Sequence, residues 1–115
     1  MLGYCHLDVE KNGDLVVVRL GAYRVLDKLT VNEISDELLG VADRPDCHRL
    51  LLDFRGVAQL SSAMLAQLVK LHRKMQSKRE KLRLCGISSH LRPIFATTML
   101  DRLFDILDTE FCAVI

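Results

Sequence analysis

The apolar residues follow two kinds of pattern along the chain. Short, nearly continuous runs predict strands, and recurrence at steps of three and four predicts helices. The run "LVVVRL" at residues 15–20 is rich in β-branched side chains, which favour strands. The run "RLLLDF" at residues 49–54 is almost continuously apolar, which is typical of a strand covered on both faces. After it, one set of mostly apolar residues recurs at steps of three and four, which predicts an amphipathic helix: Met64, Leu65, Leu68, Leu71, His72 and Met75.

The start of the chain predicts a β-hairpin. Residues 2–10 show some apolar alternation, as expected for a strand. The sequence "KNGD" at residues 11–14 has Asn-Gly at its centre, the pair that tight hairpin turns prefer. Together with the strand at residues 15–20, these features predict an N-terminal hairpin.

A first helix is predicted over residues 31–42. Thr30 can act as its N-cap, because Glu33 follows at the spacing of a capping box. The sequence "DRPD" after residue 42 ends the helix. Its apolar face follows helical spacing: Val31, Ile34, Leu38 and Val41.

The last third of the chain predicts one more strand and one more helix. "KLRLCGI" alternates like a strand, and "SSHLRPIFATTML" after it is typical of a helix. Ser88 or Ser89 can cap that helix, and Pro93 is tolerated only in its first turn. The short stretch "LFDILDT" fits either a strand or a loop.

The order of these elements predicts an α/β fold. Alternating strands and helices indicate a mixed, mostly parallel sheet with helices packed on it, and the hairpin adds antiparallel pairing. The chain has 115 residues, half of them apolar, which suits one domain over residues 1–115.

Charge and composition give no support to several functions. The formal net charge is +1, so nothing global indicates nucleic-acid or membrane binding. No apolar run approaches the roughly 18 residues that cross a bilayer, and the first residues lack the pattern of a signal peptide. We therefore expect a cytoplasmic protein without membrane insertion. Four widely spaced cysteines without a CxxC pair do not fit usual zinc sites, so we expect no metal, and nothing implies another cofactor.

Ser61 and Ser62 stand where the strand at residues 49–54 gives way to the second helix. Serine is a good N-cap, so a purely structural role is the simplest interpretation. The functional interpretation depends on position, because open α/β sheets usually carry their sites where parallel strands end. A phosphate on such a serine would add about −1.5 to −2 charges beside the positive end of a helix dipole.

This segment resembles the STAS domain, the module of bacterial anti-sigma factor antagonists and of the cytoplasmic tails of sulfate transporters. The family has a strand ending in Asp or Asn, a short loop, and Asp-Ser-Ser/Thr-Gly-Leu at the start of a helix. Here the corresponding segments are "LLLDF", "RGVAQL" and "SSAML", with Ser61 in place of the Asp and Met64 in place of the Gly. The resemblance continues through "KLRLCGIS" and covers about residues 15–110.

The resemblance implies a single STAS-like domain and a set of site residues. The serine after the motif's Asp, which antagonists carry phosphorylated, falls on Ser62. Ser61 and Asp27 match positions near that phosphate. The implied partner-binding surface comprises the loop at residues 55–60 and the first turns of the second helix, with these candidates: Arg55, Gly56, Gln59, Ala63 and Gln67.

The resemblance also implies a non-enzymatic regulator that switches partners. An antagonist of this kind binds an anti-sigma factor that is often itself a serine protein kinase, and phosphorylation of Ser62 would release it until a phosphatase resets it. An alternative within the family is a scaffold, or a regulatory subunit of a signalling or transport complex, without phosphorylation. The sequence leaves open whether the domain forms a homodimer.

Three unrelated functions have weaker support. A serine hydrolase needs GxSxG around its nucleophile, whereas this chain has "LSSAM", although His90 could act as a base. Nucleotide binding lacks both GxxxxGK[ST] and GxGxxG. For nucleic acid there is one basic cluster without interleaved aromatic residues: Lys70, Arg73, Lys74, Lys78, Arg79, Lys81 and Arg83.

Overall fold

The computed structural model describes residues 8–20, 24–25, 28–45, 47–55, 57 and 59–107. Among them, five strands form the main sheet: β1 (Asp8–Asn12), β2 (Leu15–Arg19), β4 (Arg49–Asp53), β6 (Lys81–Cys85) and β7 (Asp105–Ile106). Two further strands pair with each other: β3 (Arg24–Val25) and β5 (Gln59–Leu60). The helices are α1 (Lys28–Ala42), α2 (Ser62–Ser77) and α3 (Arg92–Thr97).

The main sheet has the order β1-β2-β4-β6-β7. β1 and β2 pair antiparallel, while β2, β4, β6 and β7 are parallel neighbours. The predicted α/β fold with an N-terminal hairpin and a mostly parallel sheet is therefore confirmed. Because β4 lies between two parallel neighbours, the segment that follows it emerges at the centre of the sheet's carboxyl edge.

The core lies between one face of the sheet and the helices α1 and α2. Alternate strand residues face this core, as the period of a strand requires: Val16, Val18, Leu50, Leu52, Leu82 and Leu84. The helices contribute the apolar faces that the sequence predicted: Val31, Ile34, Leu38 and Val41 from α1, and Met64, Leu65, Leu68, Leu71 and Met75 from α2. On the opposite face, Val17, Leu51 and Cys85 form a smaller buried cluster.

The hairpin turn lies one residue later than predicted. Asn12 pairs with Leu15, so Gly13 and Asp14 form the two-residue turn. Gly13 has φ +63°, a conformation that glycine adopts without a steric penalty. The Asn-Gly pair therefore marked the turn correctly but not its register, which the pairing of the strands determines.

Two helix starts also differ from the prediction. α1 begins at Lys28, so Thr30 lies inside the helix and is not its N-cap. α3 is confined to Arg92–Thr97 and has Leu91, not Ser88 or Ser89, at its N-cap position. Ser88 closes a preceding turn instead, because its hydroxyl accepts a hydrogen bond from the backbone N–H of Leu91 at 3.2 Å. Apolar spacing identifies a helical face but not the first turn of the helix.

The small sheet of β3 and β5 was not predicted. Its strands pair in parallel, with Arg24 opposite Gln59 and Val25 opposite Leu60. Two-residue strands are too short to show a hydrophobic period, so the sequence pattern carried no signal for them. The pairing holds the residue immediately before Ser61 in a defined position.

Candidate functional site at the start of the second helix

The segment between β4 and α2 is anchored by buried apolar residues. Phe54 and Val57 are 1% and 4% exposed, and the backbone N–H of Val57 donates to the carbonyl oxygen of Phe54 at 3.0 Å. The N–H of Phe54 donates to the carbonyl oxygen of Cys85 at 2.9 Å, which continues the β4–β6 ladder by one residue. Phe54 and Val57 are therefore held against the core just after β4.

Ser61 is the N-cap of α2. Its backbone is extended (φ −83°, ψ 159°), and its Oγ accepts a hydrogen bond from the backbone N–H of Met64 at 3.1 Å. Its carbonyl oxygen accepts the N–H of Leu65 at 3.1 Å, the first bond of the helix. One or both serines were predicted to cap the helix, and Ser61 has that role.

Ser62 is the first residue of α2, and its side chain is exposed. Within the described part of the chain, its hydroxyl has no hydrogen-bond partner. The two neighbouring serines therefore differ in their surroundings. The hydroxyl of Ser61 accepts a backbone hydrogen bond, whereas the hydroxyl of Ser62 is open to solvent. No acidic residue lies in the first turn of the helix, so the surface around Ser62 on α2 is uncharged.

The next two predicted site residues on α2 have different surroundings. Ala63 is exposed beside Ser62. Gln67 is half-buried, and its Oε1 accepts a hydrogen bond from the Oγ of Ser35 on α1 at 2.7 Å. Gln67 thus connects the two helices, so part of its side chain is already engaged inside the protein.

Arg55 lies on the loop after β4 and is held by Asp53. The Nε of Arg55 donates to both carboxylate oxygens of Asp53, at 3.1 and 3.0 Å, and its Nη2 donates to Oδ2 at 2.7 Å. The backbone N–H of Arg55 donates to Oδ1 at 2.9 Å. These bonds to Asp53 raise the pKa of the Arg55 guanidinium above its ordinary value.

Asp53 is a residue that the sequence analysis did not select. Its side chain is only 4% exposed, whereas the side chain of Arg55 is 42% exposed. The Nε of Arg19 on β2 lies 3.7 Å from Oδ2 of Asp53, and Nη1 of Arg19 donates to Glu10 at 2.9 Å. The sequence did carry a signal for this ion pair. Asp53 ends an apolar strand, and Arg55 follows it two residues later.

Gly86 is where β6 approaches this pair. A Cβ at Gly86 would lie 2.7 Å from Cγ of Arg55, 2.8 Å from its backbone nitrogen and 2.9 Å from Oδ1 of Asp53. Gly86 also has φ +73°. Since no side chain fits there, the position lets the Asp53–Arg55 turn pack directly against the backbone after β6.

Three further site residues were predicted from the sequence. Asp27 and Gly56 lie outside the described residues. Gln59 lies in β5, opposite Arg24. The structure describes Ser61, Ser62, Ala63 and Gln67 along the first turns of α2 and Arg55 on the loop that leads to it.

Part of the basic cluster that suggested nucleic-acid binding is engaged in ion pairs or in a hydrogen bond to the backbone. Lys74 pairs with Asp43 at 2.7 Å and Arg83 with Asp105 at 2.9 Å. The Nζ of Lys78 donates to the backbone carbonyl of Ala42. These contacts assign part of the cluster to structural roles at the end of α2 and on β6.

No group of three or more His, Cys, Asp or Glu side chains in the described part of the chain is arranged to hold a metal ion. None of the helices described here has the length and apolarity required to cross a membrane.

Comparison with known proteins identifies the family. A family model of the STAS domain matches residues 6–111, so the chain belongs to the STAS family. A comparison with curated proteins finds no match.

Solved structures share the fold at low sequence identity. A STAS domain protein of Planctomyces limnophilus, described as an anti-sigma-factor antagonist, has 19% identity, 93% coverage of both chains and a TM-score of 0.81. The anti-sigma factor antagonist SpoIIAA in its unphosphorylated form has 19% identity, covers 94% of this chain and 92% of its own, and gives a TM-score of 0.75. Phosphorylated SpoIIAA of Bacillus has 19% identity, coverages of 94% and 96%, and a TM-score of 0.71.

Proposed function

We propose that this protein is a bacterial, cytoplasmic anti-sigma factor antagonist that works by switching partners and catalyses no reaction. In its unphosphorylated form it binds an anti-sigma factor that is also a serine kinase. Phosphorylation of Ser62 releases that partner, and a phosphatase restores the binding form. Membership of the STAS family and the likeness of the fold to SpoIIAA support this proposal.

The observation that carries the proposal is the contrast between Ser61 and Ser62. A kinase needs a hydroxyl that it can reach, and Ser62 is exposed while Ser61 is engaged as the N-cap. A phosphate at the first position of α2 would lie at the positive end of the helix dipole, so the fold would tolerate it. The same phosphate would add about −1.5 to −2 charges to an uncharged first turn, which is a large change for a docking partner.

The proposed docking surface comprises the loop after β4 and the first turns of α2. Ser61 and Asp27 are the proposed neighbours of the phosphate. The proposed partner contacts are the candidates named from the sequence: Arg55, Gly56, Gln59, Ala63 and Gln67. Of these, Arg55 and Ala63 have exposed side chains that a partner can reach without rearrangement of the protein.

The first experiment is phosphopeptide mass spectrometry on the protein isolated from its own cells, during growth and under stress. We expect phosphate on Ser62 in an amount that changes with condition. Candidate anti-sigma factors from the same cells are then purified and tested for binding to the wild type, Ser62→Ala and Ser62→Asp. Ser62→Asp should bind more weakly and Ser62→Ala should resist phosphorylation, whereas Ser89→Asp, a change at another exposed serine, should bind like the wild type.

A second candidate function is a STAS scaffold or regulatory subunit that is not phosphorylated. One observation favours it: the residue before Ser62 is the capping Ser61, where the family motif has Asp. This candidate predicts no phosphate on Ser62 in any condition and equal partner binding by Ser62→Asp and the wild type. Those two results together would replace the switch with a constitutive interaction.

A further inference from the structure

The Asp53–Arg55 pair differs from an ordinary surface ion pair in its asymmetry. The carboxylate is almost fully buried and the arginine is 42% exposed. A buried carboxylate is stable only when it is paired and hydrogen-bonded, so Asp53 has a strong preference to keep its partners. The Nε and Nη2 atoms of Arg55 are thus held by Asp53, while much of its side chain remains accessible to solvent.

The guanidinium of Arg55 is only partly used inside the protein. Nε and Nη2 donate to Asp53, whereas Nη1 has no hydrogen-bond partner among the residues that the structure describes. The N–H groups of Nη1 can therefore donate to a group outside the chain. Because the guanidinium is planar and two of its nitrogens are held, the direction of those donors is set before any partner arrives.

Two further contacts restrict the pair. Arg19 approaches Asp53 from β2 at 3.7 Å, and the backbone at Gly86 leaves no room for a Cβ beside Arg55. Arg55 precedes the short strand β5 in the chain, and Ser61 and Ser62 follow β5 directly. The exposed arginine is thus part of the same sheet-edge segment as the proposed phosphorylation site.

We propose that Asp53 is a positioning residue that presents Arg55 to a carboxylate on the anti-sigma factor. This inference rests on the proposed function and names the chemistry of one contact in it. The formal charges of Glu10, Arg19, Asp53 and Arg55 sum to zero, so the site has no net attraction for a polyanion such as nucleic acid. A directed guanidinium instead fits a single carboxylate, which it can bind with hydrogen bonds of defined geometry.

The test measures the dissociation constant of the wild type and variants with the purified anti-sigma factor identified above, at low and high salt. Arg55→Ala and Asp53→Asn should each weaken binding about tenfold. Arg49→Ala is the matched control, because Arg49 lies at the other end of β4, is 48% exposed and donates to Asp14 from Nε and Nη2 at 3.1 and 2.7 Å. We expect it to change binding less than about twofold.

Three measurements separate the positioning of Arg55 from its charge. Arg55→Lys keeps the charge but cannot form the same planar contact, so it should lose as much affinity as Arg55→Ala. In the double variant with Asp53→Asn and Arg55→Ala, binding should be no weaker than with Arg55→Ala alone, because Asp53 acts through Arg55. In the free protein, the Nε–Hε NMR signal of Arg55 should exchange slowly with water, and Asp53→Asn should remove that protection.

The outcomes separate this inference from the proposed function. If the wild type binds no anti-sigma factor, the proposed function fails and the inference fails with it. If the wild type binds but Arg55→Ala or Arg55→Lys binds equally well, only the inference is overturned. If Asp53→Asn does not fold, the comparison of Arg55→Lys with Arg55→Ala still tests the directed guanidinium, and fast exchange of the Arg55 Nε–Hε signal in the wild type would overturn the positioning by Asp53.

Discussion

The hydroxyl oxygen of Ser61 accepts a hydrogen bond from the backbone N–H of Met64 at 3.1 Å, which makes Ser61 the N-cap of α2 and the exposed Ser62 its first residue. The two serines therefore have separate tasks. Ser61 satisfies a backbone donor of the first helical turn, so its side chain is committed to the fold. Ser62 contributes little to the helix start and is left available for chemistry at the surface.

The first prediction follows from this division. Ser61→Ala should lower the free energy of unfolding by about 1 kcal/mol, because the N–H of Met64 loses its acceptor. Ser61→Asp should retain stability, since Asp also caps helices and its charge suits the dipole. Ser62→Ala is the control and should change stability by less than about 0.5 kcal/mol. Urea denaturation of the four proteins measures this, and a larger loss for Ser62→Ala than for Ser61→Ala would contradict the assignment.

The second prediction concerns Gly86. Gly86→Ala should destabilise the protein by at least about 2 kcal/mol, because the new Cβ meets the backbone of Arg55 and the positive φ disfavours alanine. Gly13 has a similar φ of +63° but open space around it, so Gly13→Ala should cost only about 1 kcal/mol. Gly40 is exposed within α1 with nothing near its Cβ position, so Gly40→Ala should stabilise by about 0.5–1 kcal/mol.

Thermal and urea unfolding of the three glycine variants test this order directly. The difference between Gly86→Ala and Gly13→Ala isolates the effect of crowding from that of backbone conformation, because both positions share the left-handed φ. Equal losses at the two positions would show that Arg55 yields to the added methyl group.

The sequence predicted the parts of this structure that repeat along the chain. The buried face of α2 and the strand β4 each contain several apolar residues. The spacing of those residues is therefore visible in the sequence, and the core buries the same residues. The small β3–β5 sheet could not be predicted, since each strand has two residues. The predicted starts of α1 and α3 were wrong, because apolar spacing identifies a helical face but not the first turn, and these helices begin at Lys28 and Arg92.

The candidate site likewise has features that the sequence predicted and features that it did not. That one of the two serines caps α2 followed from residue type and position, and Ser61 has that role. Asp53 and Arg55 stand two residues apart, so their contact had a signal in the sequence, but the approach of Gly86 to this pair had none. Such an approach between segments more than thirty residues apart is a property of the folded sheet, so no local pattern records it. The role of Ser62 as a phosphoacceptor stays a prediction.

The third prediction concerns the hydrogen bond between α1 and α2. Ser35 is 5% exposed and its Oγ donates to Oε1 of Gln67 at 2.7 Å. Ser35→Ala should destabilise the protein by about 1 kcal/mol, because the half-buried amide oxygen loses its donor. A double-mutant cycle with Gln67→Ala should give a coupling energy of about 0.5–1.5 kcal/mol in urea denaturation. Gln76→Ala, at an exposed position of α2, should show no coupling to Ser35→Ala.

The fourth prediction concerns Asp14, whose carboxylate accepts two hydrogen bonds from Arg49. These bonds hold the pKa of Asp14 below its ordinary value of 3.8. Because the pKa in the folded state is lowered, the stabilising contribution is present above the unfolded pKa and is lost as the pH falls through the folded pKa. Both side chains are about half exposed, so the effect on stability should be small and should weaken with salt. NMR titration of the Asp14 carboxyl carbon should show the lowered pKa in the wild type and a rise toward the ordinary value in Arg49→Ala. Arg83→Ala, which removes an arginine from a different ion pair, should leave the titration of Asp14 unchanged.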